Sequence, residues 1–133
     1  MTLVSTRIFV GVAGGLLLVV GTGLMFQPHD FSAANGIMVG DNPSQLSEIR
    51  APGALLIISA LFMLFSIGRA RLLEPALVLI TGIYGSYGLA RLLSLMIDGP
   101  PVQSLFQAMI LELVIAGLGM IAWQRFRSTQ TSK

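Results

Sequence analysis

Ile8-Phe9-Val10-Gly11-Val12-Ala13-Gly14-Gly15-Leu16-Leu17-Leu18-Val19-Val20-Gly21-Thr22-Gly23-Leu24-Met25-Phe26 runs for nineteen residues without a charge. At helical rise it covers roughly 28 Å, close to the thickness of the hydrocarbon layer of a bilayer. The run is apolar on every side, so no face of it suits water, and a membrane span is the reading it supports.

The rest of the chain repeats this pattern. Ala51 to Ile67, Pro75 to Ile97 and Leu105 to Trp123 are further apolar runs of bilayer length. Of 133 residues 54% are hydrophobic and 11% charged, and the mean hydropathy is +0.83, well above ordinary soluble usage. The prediction is an all-α, polytopic membrane protein: one membrane domain over 1–133, a four-helix bundle with helices at about 8–26, 43–67, 75–97 and 104–123. The competing reading of the first run is a secretory signal peptide, with Arg7 before it and Ser32-Ala33-Ala34 as a small-residue cleavage site. Its length, beyond the about 7 to 15 apolar residues of a signal, argues for a retained helix.

Local signals mark the helix ends. Asn42-Pro43-Ser44-Gln45 reads as an N-cap, a proline at the first helical position and a Gln that reaches back as a capping box. Pro52 then falls inside the second helix and predicts a kink. Pro75 is expected to open the third helix, and Asp98-Gly99-Pro100-Pro101 to turn it back into the fourth. The connection Gln27–Asp41, with Phe31 and Ile37-Met38-Val39, reads equally as an exposed loop or as a segment dipping into the interface.

The formal charge is +2, but the bases are not clustered as a nucleic-acid surface requires, so no nucleic-acid partner is expected. Arg7, Arg69, Arg71, Arg125, Arg127 and Lys133 fall at one side of the membrane and Arg50 and Arg91 towards the other. This asymmetry places both termini in the cytoplasm, with Trp123 as an interfacial anchor on that side. The chain has no cysteine, which excludes disulfides, thiolate metal sites and thiol nucleophiles. His29 is the single histidine, too few for a metal centre. No Walker A loop, GxSxG elbow or Rossmann fingerprint occurs, so no catalytic residue, cofactor or metal is implied and an enzyme is the third-ranked reading.

Charged groups inside a span cost about 2.5 to 3.5 kcal/mol each on insertion scales, so each needs a partner or a function. Arg91 and Glu112 lie at matching depth, roughly 10 Å from the outer surface, on helices joined by a tight turn. They are predicted to pair. Tyr84, Tyr87, Arg91, Ser94 and Asp98 recur at three- and four-residue intervals, which predicts one polar stripe facing the bundle. Ala108, Glu112 and Ala116 share a face of the fourth helix, and Glu48 and Arg50 are candidates for the same cluster. Together Glu48, Arg50, Arg91, Asp98 and Glu112 sum to minus one, which implies a protonated carboxylate or a shared cation. Two readings stand: the cluster specifies helix pairing, or it is a ligand or proton site. Gly11 and Gly15, and the ladder Gly82, Ser86, Ala90, predict close helix contact, within the monomer or in a homo-oligomer.

Ser47-Glu48-Ile49-Arg50-Ala51-Pro52-Gly53, Gly88-Leu89-Ala90-Arg91-Leu92-Leu93-Ser94-Leu95-Met96-Ile97-Asp98-Gly99-Pro100 and Leu111-Glu112-Leu113 give the chain a likeness to a known family. It resembles a bacterial family of small four-span proteins catalogued as domain of unknown function 4345. The resemblance implies an inner-membrane protein whose Glu48, Arg50, Arg91, Asp98 and Glu112 match the family's charged positions, and it implies no reaction. The first expectation is a non-enzymatic accessory or scaffold bundle that binds the lipid bilayer and another membrane protein. The alternative is a binder or transporter of a small amphiphile, lipid or ion at Arg91 and Glu112.

Overall fold

The computed structural model describes residues 2–131, and among them every regular element is helical. The order is α1 Leu3–Phe26, α2 Pro28–Ala34, α3 Pro43–Ser66, α4 Ala70–Asp98 and α5 Gln103–Thr131. The four long helices are each apolar and long enough to cross a membrane, which makes the chain a multi-pass membrane protein by composition and geometry.

Several ends differ from the sequence expectation. α1 begins at Leu3, because Thr2 caps it by accepting from the Ser5 amide. At α3 the Asn42 side chain accepts from Ser44 N at 2.9 Å, serving the second helical amide rather than the third. The Gln45 side chain accordingly accepts from Gly40 N at 3.2 Å, so the reciprocal capping box does not form. Pro75 does not open α4, which starts at Ala70. It sits one turn in, where its ring removes a single backbone bond, and the α3–α4 connection shrinks to Ile67–Arg69. α5 continues past Trp123 through Arg125 and Arg127. Lys133, counted above among the bases, lies outside the described residues.

The connection after α1 contains a helix that the sequence reading did not foresee. Pro28 occupies its first turn with Asp30. Its end is a Schellman arrangement in which Gly36 N donates to Ala33 O and Ile37 N to Ser32 O, both at 2.9 Å. Gly36, at φ +72°, supplies the left-handed residue that this closure needs.

Two antiparallel helix pairs carry most of the packing, α1 with α3 and α4 with α5, and α4 joins them by touching α1 and α3. Small residues set the closeness of each pair. A Cβ on Gly21 would come within 2.9 Å of Ile57 N, and one on Gly53 within 2.9 Å of Met25 N, so the α1 and α3 backbones are nearly in contact there. Gly14 meets Met63 in the same register. Gly15 has no neighbour within 4 Å: the close contact expected of Gly11 and Gly15 is made by Gly14 and Gly21 instead, with Gly11 touching only the Ile67 side chain. On the other pair, Gly88 receives Leu113 and Gly119 receives Thr81. Gly82 also lacks a neighbour, and Ser86 and Ala90 are exposed, so the predicted ladder of α4 faces away from the bundle.

The core fills the junction of the pairs. Val10, Ala60, Met63, Leu73, Leu77 and Ile80 are fully buried, and α5 adds Ile115, Ala116 and Ala122. Tyr84, also buried, donates its hydroxyl to Ala13 O at 2.6 Å, tying α4 to α1. α1 and α5 make no comparable packing with each other. The bundle is therefore open along that side.

Candidate functional site

The open side is a cleft of about 330 Å³, at the small end of the range of ligand pockets. α1 gives it Leu16, Leu17, Val19, Val20 and Leu24, and α5 gives Leu105, Ala108 and Leu111 on the opposite wall. α2 closes one end with Phe31, Ser32 and Asn35. The floor is α4, through Ile83, Tyr84, Tyr87 and Arg91, with Glu112 of α5 beside them.

Arg91 and Glu112 meet in this wall. Arg91 Nε donates to Glu112 Oε2 at 3.0 Å and to Oε1 at 3.3 Å. Their side chains are 31% and 15% exposed, so the pair is half-buried but not sealed. Its position follows from the α4–α5 register: Gly88, one turn before Arg91, lets Leu113 against the α4 backbone, and that approach sets the carboxylate beside the guanidinium.

The other sequence candidates divide. Tyr84 and Tyr87 line the cleft with Arg91 and Glu112. Ser94 and Asp98 are exposed and bond to each other, Ser94 Oγ to Asp98 Oδ2 at 2.8 Å, so the predicted stripe faces the bundle only as far as Arg91. Glu48 and Arg50 lie exposed on the first turns of α3 and do not join the cluster. The minus-one sum thus never assembles; the central pair is formally neutral.

Two features escaped the sequence reading. Glu74 accepts from Trp123 Nε1 at 3.3 Å and lies 3.7 Å from Arg127 Nε. It ties α4 to α5 at the end opposite the cleft, so Trp123 is held by a carboxylate as well as by its ring. The sequence signal for this tie is an acidic residue at the edge of an apolar run beside bases. Phe31 is the second: its ring packs on Gly23 of α1, which fixes α2 across the cleft's end. His29 pairs with Asp41 at 3.2 Å, a contact within this connection. Among the described residues no group of His, Cys, Asp or Glu is placed to hold a metal.

Four bilayer-length helices enclosing a lateral apolar cleft, with an ion pair set into its wall, define a polytopic helix-bundle membrane protein. The chain belongs to the family described as domain of unknown function (DUF4345), whose profile matches residues 5–123. No curated protein and no solved structure matches it.

Proposed function

We propose that this protein binds a small amphiphile taken from the bilayer, its hydrocarbon part in the α1–α5 cleft and its polar end at Arg91 and Glu112. The observation that carries this reading is the opening of the ion pair onto a cleft of about 330 Å³. A pair that only specified helix packing is expected to be closed off by neighbouring side chains, since residual exposure in an apolar medium has a desolvation cost and no return. Here the lining is apolar apart from a few polar side chains, Ser32, Asn35, Tyr84, Tyr87, Arg91 and Glu112, which is the pattern of a binding site.

The accessory or scaffold role, first in the sequence reading, is placed second for the same reason. The membrane is taken to be the bacterial inner membrane, with both termini in the cytoplasm and the cleft nearer the outer side, on the asymmetry of the bases.

The test is mass spectrometry of the gently solubilised protein. Wild type is expected to retain an amphiphile that Leu111→Trp loses. Leu111 is 49% exposed on the cleft wall, so the larger ring enters the cleft without overpacking the core. If wild type and Leu111→Trp carry the same lipids in the same amounts while both remain helical and monodisperse, the proposal is wrong.

A further inference from the structure

The cleft lining holds more than an ion pair, and its hydrogen-bonding character specifies a ligand class. Arg91 engages Glu112 through Nε alone; among the described residues no group accepts from its two terminal amino groups. Both oxygens of Glu112 are directed at that one Nε–H, so the carboxylate is oriented towards the arginine. The Tyr84 hydroxyl is committed to Ala13 O. Tyr87 and Ser32 also line the cleft, and their hydroxyls have no side-chain hydrogen-bond partner among the described residues. The guanidinium's outer N–H groups can only donate, while the two hydroxyls can donate to or accept from a ligand and the Asn35 side-chain oxygen, also in the lining, can only accept.

Charge narrows the class further. Arg91 next to Glu112 has no net charge, and the remaining lining carries none. An anionic headgroup arriving at the guanidinium would be attracted by it and repelled by the carboxylate about as strongly, and would leave one uncompensated negative charge in an apolar cleft. A cationic headgroup would be attracted by the carboxylate and repelled by the guanidinium about as strongly, and would leave one uncompensated positive charge in the same cleft. A neutral group rich in acceptors satisfies the donors without either penalty.

Resting on the binding reading above, we infer that the ligand is a neutral amphiphile whose polar end carries carbonyl-type acceptor oxygens, held by Arg91 with Tyr87 and Ser32, with Glu112 acting to exclude anions. Two membrane sources share this chemistry, a quinone ring and an acylglycerol head. The aromatic groups Phe31, Tyr84 and Tyr87 around the site favour the flat ring.

The experiment uses the full chain in zwitterionic phosphatidylcholine nanodiscs and three probes with ten-carbon tails: decyl-benzoquinone, 1-decanoylglycerol and decyl phosphate. Wild type is expected to bind a neutral probe at least about tenfold more tightly than decyl phosphate, a margin of about 1.4 kcal/mol, and the tighter neutral probe identifies the source. Glu112→Gln leaves Arg91 unneutralised and is expected to reverse the preference in favour of decyl phosphate. Decyl phosphate binding to wild type as tightly as the neutral probes overturns the neutral class while the binding reading stands. Failure of all three probes overturns both. The wild-type comparison decides the matter even if Glu112→Gln does not fold.

Discussion

Gly53 and Gly15 sit in equally apolar helices, yet only one of them is a structural requirement. A methyl group on Gly53 would press on the α1 backbone, where nothing can rotate away, whereas one on Gly15 meets nothing. Gly53→Ala is therefore expected to destabilise the bundle by about 1–3 kcal/mol through overpacking, and Gly15→Ala to change it by about 0.5 kcal/mol or less, both read by unfolding in mixed micelles. Arg91 and Glu112 lead to a different expectation. Removing either partner leaves the other charge without compensation, at a cost of about 3–5 kcal/mol, while replacing both with apolar residues is close to neutral. Arg91→Met with Glu112→Leu should thus be more stable than either single variant. A double variant less stable than both would show that the pair is not what sets the stability of this wall.

Among the elements, α2 is the one whose role depends on a single notch. Its Phe31 ring occupies the space where Gly23 has no side chain, and Pro28 and Ser32 are its buried residues. Gly23→Val fills the notch and is expected to detach α2 while α1, α3, α4 and α5 stay packed. Hydrogen exchange should then rise in 28–37 alone, since the energetic unit affected is a short helix with little buried surface. Unchanged exchange in that segment would mean that the Schellman closure at Gly36 and the His29–Asp41 contact suffice to hold it. α4 shows the opposite character: it is anchored at both ends, by Glu74 to Trp123 and by Arg91 to Glu112, and through Tyr84 to α1. The helix that contacts every other long helix is also the one that carries the polar side chains.

For the assembled bundle the antiparallel pairs bring Arg7, Arg69, Arg71, Arg125 and Arg127 to one end and α2 to the other. Arg69 lies 3.7 Å above the Phe65 ring and Arg127 5.2 Å from the Trp123 ring, a collar of bases and aromatics suited to a headgroup region. Because the chain has no cysteine, orientation can be read from single introduced thiols. Met38→Cys, at a residue 89% exposed, is expected to react with an impermeant maleimide from outside intact cells. Ser128→Cys, exposed on the last turns of α5, should react only after lysis. The reverse pattern would invert the assignment and place the cleft nearer the cytoplasm.

The spans were legible because hydrocarbon imposes a length and a composition on any helix that crosses it, and both are written in consecutive residues. The pairing of Arg91 with Glu112 was legible for a related reason: a tight turn after Asp98 forces adjacency, and charges at one depth in a medium of low dielectric have few alternatives. What consecutive residues do not encode is which side of an apolar helix faces a neighbour. In lipid both sides are equally apolar, so Gly14 could not be told from Gly15, nor the outward Gly82 from the inward Gly88. For the same reason the gap between α1 and α5 had no signature in the chain. It exists because α4 alone bridges the two pairs, and that arrangement follows from side-chain fit at Tyr84, Leu77 and Ile80, which only the packed structure sets.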